Sequence, residues 1–158
     1  MGDTSSIDEA RRVFGDRVPF AKALGVEFDE IGPERAVVSM SYARERTNHV
    51  ATVHAAAEFG LGESAAGTLV FMAFQDLAAE GYVAVVAGAS IAYKRPAPGN
   101  LRAEATLSKE EQARVRADVA SAGKARVTLP VTITNADGVV ACEMRTEWAI
   151  IKPRPPQG

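Results

Sequence analysis

The sequence predicts an α+β domain, an antiparallel sheet of about six strands wrapped around one long central helix. Two observations carry that prediction. From Thr47 to Phe74 the chain reads TNHVATVHAAAEFGLGESAAGTLVFMAF, polar at first with two histidines, then apolar on nearly every helical face. A helix apolar all round has no solvent side, so other elements must surround it. The rest of the chain supplies them: segments of alternating polar and apolar residues separated by Gly, Pro, Asn and Asp. That is the pattern of half-buried strands joined by turns.

Taken in order, residues 1–5 are expected to be disordered. Ser6 is expected to cap a short helix with Asp8 and Glu9 in its first turn and Gly15 near its end. Residues 18–24 cross to a first strand over 26–31, and Gly32-Pro33 turns the chain. From Arg35 to Tyr42, Ala36, Val38, Met40 and Tyr42 alternate with Val37, Ser39 and Ser41, a strand with one wetter face. The long helix is expected to start near Thr52 and to fray before Gly81. Tyr82 to Lys94 is apolar on both faces, as in a strand central to its sheet.

Arg95 to Asn100, with two prolines, is a turn, and residues 101–108 alternate again. Within 109–123, Glu110 with Arg114 and Arg114 with Asp118 have helical spacing, so a short surface helix ending at Gly123 is expected. Residues 125–133 alternate, Asn135-Ala136-Asp137-Gly138 is a hairpin turn, and residues 140–150 form the last strand. The tail KPRPPQG lacks the residues to pack and is expected to be mobile.

The totals exclude several classes of function. The length suits a single domain over 1–158, with roughly 6–151 ordered. A net charge of −2 makes no electrostatic case for nucleic acid or an anionic membrane as partner. Cys142 is the one cysteine, so no intrachain disulfide forms, and a reducing, cytoplasmic location is expected. No segment has the pattern of a signal peptide. The apolar run over 60–74 is too short, and too interrupted by Glu63, Ser64 and Gly67, to span a membrane.

Glu63 is the sharpest candidate for chemistry. Its helical neighbours are Phe59, Gly60, Ala66, Gly67 and Val70, none of which neutralises a charge. A carboxylate there is desolvated and its pKa rises, which marks functional sites; the alternative is a Glu63 that reaches solvent or pairs with an arginine from another strand. His54, at the helix start, is read as a residue that organises the preceding loop. It is nine residues from Glu63, half a turn out of phase at roughly 100° per residue, so the two form no dyad within one helix. Glu58, one turn from His54, is read as a structural partner.

The first-turn amides of Ala55, Ala56 and Ala57 are unpaired donors at the positive end of the helix dipole and could hold an oxyanion. Asn48 could hold a water or a carbonyl, or be a plain turn residue. Lys94 and Arg95 could reach a phosphate. No phosphate-binding glycine loop, nucleophile elbow, paired-cysteine zinc spacing or HExxH occurs, and no metal site is expected. Cys142 reads as a core residue.

With these residues in view, the chain resembles the hotdog-fold acyl-CoA thioesterases, in the group that includes the phenylacetate-pathway thioesterases. The order of elements fits over nearly the whole chain. The family motif runs from an asparagine to His-Gly-Gly, then Leu-Ala-Asp/Glu, Ala and Gly. It is matched by Asn48, His54-Ala55-Ala56, Gly62-Glu63 and Ala65-Ala66-Gly67. ASIAYKRPAPGNLRAEA resembles the following strand and its Arg-Pro turn, with Ser90 where members often carry Ser or Thr. Ala55 and Ala56 stand in place of paired glycines, and the segment 109–123 is similar to that of a subgroup known only as uncharacterised thioesterases.

The resemblance implies a homodimer, or a homotetramer of paired dimers, with active sites at the subunit interface. Acyl-CoA is the implied small-molecule substrate, and coenzyme A enters only as part of it, with no separate cofactor. Glu63 would activate water or attack the carbonyl itself, while amides near Ala56 hold the oxyanion. Asn48 would position water or substrate, Ser90 would support from the partner subunit, and Lys94 and Arg95 would contact the CoA phosphates. A non-catalytic acyl-CoA-binding hotdog protein is the alternative, favoured by the alanine pair. A hotdog hydratase or dehydratase is less well matched, since no Asp-x-Asn-Pro-x-His pattern occurs.

Overall fold

The computed structural model describes residues 4–153. Its elements run α1 (Thr4–Arg17), α2 (Pro19–Leu24), β1 (Val26–Ile31), β2 (Arg35–Met40), α3 (Ala55–Ala73), α4 (Gln75–Ala79), β3 (Val83–Tyr93), β4 (Leu101–Thr106), α5 (Lys109–Ala122), β5 (Ala125–Asn135) and β6 (Val140–Ile151). All six strands form one antiparallel sheet in the order β1-β2-β4-β5-β6-β3. The 19-residue α3 packs on its inner face against β2, β4 and β5. This is the hotdog architecture.

Several expectations are corrected. Thr4, Ser5 and Ser6 already lie in α1, so Ser6 is not a cap and Asp8 and Glu9 fall beyond the first turn. Residues 1–3 and 154–158, part of the expected disordered start and mobile tail, lie outside the described residues. Residues 18–24 are not a plain crossing but contain α2, opened by Pro19. The proline has no amide to satisfy, and its fixed φ suits the start of a helix. The long helix begins at Ala55 rather than near Thr52, and it breaks at Phe74 before the short α4.

β3 is not central but the edge of the sheet, hydrogen-bonded to β6 alone. Val83, Val85, Val86 and Tyr93 are exposed along it. Apolar residues on both faces fit a strand flanked on both sides, but equally one whose neighbour is supplied by another molecule.

The helix over 109–123 is present as α5. Ser108 caps it through the Glu111 amide (3.2 Å), and Gly123 ends it at φ 69°. Arg114 binds Asp118 as expected, but its other carboxylate partner is Glu111, one residue on from Glu110, and it also donates to the Arg126 carbonyl (3.0 Å). Val115 and Val119 are buried, and Arg116 reaches Asp76 (2.7 Å) and the Ala73 carbonyl (2.7 Å), tying α5 to the end of α3.

The centre of α3 lies close on the sheet because small residues face it. Ala65 and Ala66 are fully buried, and a Cβ on Gly62 would stand 2.7 Å from Met144 Sδ and 3.2 Å from Ile133 Cδ1. Gly62→Leu is therefore expected to destabilise by about 1–3 kcal/mol through overpacking. Gly62→Ala is expected to be near neutral, because about 1 kcal/mol of helix propensity offsets the crowding. Denaturant midpoints at constant m-value check both, and an unchanged midpoint for Gly62→Leu would refute the close packing.

Candidate active site

The site is built at the start of α3 and along its flank. The loop before the helix is closed by Asn48. Its Oδ1 accepts from the amides of Val50 (3.0 Å) and Thr52 (3.1 Å), and its Nδ2 donates to Thr52 Oγ1 (2.8 Å) and toward the Val53 carbonyl (3.5 Å). Both lone pairs and both protons of the amide are engaged. Asn48 therefore organises the loop and has no group left to position water or substrate. Ala51 adopts φ 61°, a left-handed conformation rare for a residue with a Cβ, held by the same turn.

His54 is the N-cap of α3. Its Nδ1 accepts from the Ala56 amide (3.0 Å), and its backbone carbonyl accepts from the amides of Ala57 (2.8 Å) and Glu58 (3.1 Å). Its own amide donates to the Arg46 carbonyl (2.8 Å). The loop-organising role is thus what the imidazole performs. This also corrects the expected oxyanion donor, because the Ala56 amide is occupied by a side-chain cap. Among the described residues, the Ala55 amide is the first-turn donor with no acceptor. Tyr93, at the end of β3, reaches the same turn and donates from its hydroxyl to the Ala55 carbonyl (3.0 Å).

Glu63 is half-buried, two turns further along α3. No hydrogen bond or ion pair to it is formed among the described residues, so the reading as an arginine-paired structural carboxylate is not realised. Desolvation by burial pushes its pKa up. It faces a cavity of about 490 Å³ between α1, α3 and the β6–β3 edge, walled by Phe14, Phe28, Val70, Phe71, Phe74 and Trp148.

A second carboxylate lies deeper. Glu58 is buried, hydrogen-bonded to the thiol of Cys142 on β6. Burial raises the Glu58 pKa, while the thiol contact and the nearby His54 oppose the rise. Cys142 is a core residue as expected, and burial together with the Glu58 carboxyl holds its thiol far above the usual range. In sequence, Glu58 shows only its spacing from His54. Its partner is 84 positions away, and no local pattern announces it.

The remaining expected residues divide. Register pairs Ile91 with Met144 and Tyr93 with Cys142, both buried partners, whereas Ser90 pairs with the exposed Arg145. Ser90 therefore lies on the outer face, away from α3, and does not line the site. The cause is a bulge between Val86 and Gly88, where an extra residue reverses which side chains face inward. Lys94 and Arg95 follow Tyr93 and are exposed; Lys94 Nζ is 3.1 Å from Glu143. Among the described residues, no cluster of three or more His, Cys, Asp or Glu is placed to hold a metal ion, and no helix is long and apolar enough to cross a membrane.

Comparison with known structures agrees with this architecture. A Pseudomonas aeruginosa protein of unknown function, named a "probable thioesterase", is 25% identical with a TM-score of 0.82, covering 92% of this chain and 95% of that one. A Chlorobaculum tepidum protein of unknown function is 19% identical with a TM-score of 0.83, covering 94% and 95%. The PaaI protein from the phenylacetic acid degradation operon of E. coli is 19% identical with a TM-score of 0.69, covering 90% and 91%. At 19% identity the latter two show the fold alone. No curated protein matches the sequence. The model of one family, described as a domain of unknown function (DUF4442), matches residues 9–150, and the chain belongs to that family.

Proposed function

We propose that the protein is an acyl-CoA thioesterase whose active site is completed by a second copy of the chain. The observation that carries this reading is Glu63: a carboxyl with no partner among the described residues, its pKa raised by burial, facing an apolar cavity. Such a group is suited to act as a general base near neutral pH. The name of the Pseudomonas relative supports the reaction class.

In this reading Glu63 takes a proton from water as the water oxygen attacks the thioester carbonyl. The tetrahedral oxyanion is held by the free Ala55 amide at the positive end of α3. The C–S bond then breaks, and the proton held by Glu63 passes to the departing CoA thiolate. Direct attack by Glu63 to give a mixed anhydride is the other route, but a raised pKa favours the base.

The two groups do not serve one carbonyl within a single subunit. Eight residues separate them, about 12 Å along the helix axis. Pairing of the exposed β3 edges about a twofold axis would extend the sheet and set two α3 helices side by side and antiparallel. Glu63 of one subunit then approaches the first turn of the other. The same arrangement covers the apolar β3 edge, which one chain leaves bare.

Tyr93 touches that first turn, and in this reading the exposed Lys94 and Arg95 beyond it would meet the CoA phosphates. Replacing both by alanine is expected to raise KM for acyl-CoA about tenfold, as for two exposed charge contacts, with little change in kcat. An unchanged KM would place the phosphates elsewhere.

A hydrolysis screen over acyl-CoAs of varied chain length and aromaticity, with Glu63→Ala as control, tests the reading. Tight binding without turnover would favour instead the non-catalytic acyl-CoA-binding reading, for which the occupied Ala56 amide is the specific observation. No turnover and no binding would sink both.

A further inference from the structure

We infer that Tyr93 is a positioning residue: with Cys142, its partner across the sheet, it clips the first turn of α3 to the β3–β6 edge and so fixes the direction of the free Ala55 amide. The inference rests on the thioesterase reading only for the reaction that this amide would serve. Tyr93 on β3 and Cys142 on β6 lie opposite each other in register, and each holds the same turn by a different group. Tyr93 donates its hydroxyl to the Ala55 carbonyl (3.0 Å), and the Cys142 thiol is hydrogen-bonded to the Glu58 carboxyl. The end of β3 is itself fastened, because the Lys94 amide donates to the Ala141 carbonyl (2.8 Å).

Two peptide planes set that turn, and both are gripped. The plane between Ala55 and Ala56 is held at its oxygen by Tyr93 and at its nitrogen by His54 Nδ1, which accepts from the Ala56 amide (3.0 Å). Hydrogen bonds in series polarise one another, so the tyrosine strengthens the imidazole cap. The plane between His54 and Ala55 carries the free N–H. Its oxygen accepts from the amides of Ala57 (2.8 Å) and Glu58 (3.1 Å), and the Glu58 side chain is the one anchored to Cys142.

The Tyr93 bond is not needed to satisfy a buried group. Its ring is half-exposed, and the first carbonyl of a helix already accepts from the amide four residues on. Tyr93 fills the second lone pair of that oxygen. What the bond adds is direction, at the end of a helix where the chain otherwise frays. Burial, with the Cys142 thiol and the Glu58 carboxyl near it, raises the Tyr93 pKa, so the hydroxyl keeps its proton and remains a donor at neutral pH.

An oxyanion donor acts by being fixed before the charge develops. In a site shared by two subunits, it must also keep its place relative to the Glu63 that the second copy brings along the β3 edge. Tyr93 ties the donor to that strand.

Tyr93→Phe removes the hydroxyl and keeps the ring. The first readout, hydrogen exchange of backbone amides followed by NMR, needs no substrate. The amides of Ala56, Ala57 and Glu58 are expected to exchange about three- to tenfold faster, the weight of one neutral hydrogen bond, with Leu69 and Val70 further along α3 unchanged. The second readout is kinetic. Tyr93→Phe is expected to lower kcat for acyl-CoA about tenfold with KM little changed. Repeated in a chain carrying Ala55→Pro, which has no N–H at that position, the same substitution is expected to cost nothing further.

A tyrosine that merely stabilised the fold, or that touched the substrate itself, would cost as much in the proline chain as in the parent, and that result would overturn the inference. So would parental kcat in Tyr93→Phe, or first-turn exchange that stays unchanged or rises uniformly along α3. Faster first-turn exchange in a protein that hydrolyses no acyl-CoA would keep the clip and sink the thioesterase reading. Unchanged exchange without hydrolysis would overturn both.

Discussion

Glu63→Gln is expected to lower acyl-CoA turnover by at least about 10²-fold while leaving the protein no less stable than the parent. Glutamine keeps the size of the side chain and removes both the base and the charge. In a structural carboxylate the substitution breaks an ion pair and costs stability; here no pair exists among the described residues, and the half-buried carboxylate is itself desolvated.

The pH dependence sharpens the prediction. Below its ordinary value of 4.5 the carboxyl is neutral in both folded and unfolded chains. As pH rises past that value the unfolded chain ionises first, because the folded pKa is raised. The unfolded chain then binds fewer protons than the native one, so stability falls with pH until the folded pKa is passed. Glu58 has the same sign of shift and is unchanged in the variant, so the difference between the two proteins isolates Glu63. The variant should match the parent at pH 4 and melt higher at pH 7. Parental kcat/KM should rise with pH through a value above the ordinary glutamate range. Parental turnover with a lowered melting temperature would sink the catalytic assignment.

Much of the fold was legible because it depends on periodicity. Alternation located β2, β4, β5 and β6 to within a few residues, and the all-round apolar run located α3. What was not legible depends on where a chain meets something distant or irregular. The expected central position of β3 fails because an apolar strand reads the same whether its neighbour is in the chain or in another copy. Ser90 was expected at the site from its place in the sequence, and the bulge after Val86 turned it outward. A bulge is one unpaired residue; in the run VAVVAGASIAY the isolated Gly88 beside it is the one local signal, and it does not say which later side chains turn inward.

The site divides in the same way. Glu63 was legible because its helical neighbours are local and none could neutralise it. Asn48 was visible as a polar residue before the helix, but only the closed loop shows that all its hydrogen-bonding positions are engaged. The oxyanion donor moved from Ala56 to Ala55 because of a single cap, His54 Nδ1 on the Ala56 amide. Which of several first-turn amides a side chain occupies is a question of rotamer, beyond the reach of residue spacing.

That shift makes the second large prediction possible. Ala55 is the first residue of α3, and His54 before it has ψ 140°. Proline is favoured at this helical position and prefers an extended residue ahead of it. Ala55→Pro should therefore fold normally while deleting the one free first-turn N–H. If that amide holds the oxyanion, kcat should fall about 10²- to 10³-fold, the usual loss of one such donor, with KM little changed.

Mixing the two inactive proteins then tests where the site lies. In a heterodimer of Ala55→Pro and Glu63→Gln subunits, one of the two interface sites pairs an intact first turn with an intact Glu63, and the other has neither. Random exchange makes about half the dimers mixed, so about a quarter of parental activity should return. A site built within one subunit would give no recovery at any ratio. Full activity in Ala55→Pro alone would remove the amide from the mechanism. Recovery that appears only when subunits are allowed to exchange, with a chain carrying both substitutions mixed equally with the parent leaving about a quarter of the all-parent activity rather than about half, would fix the catalytic carboxyl and the oxyanion donor on opposite sides of the β3 edge.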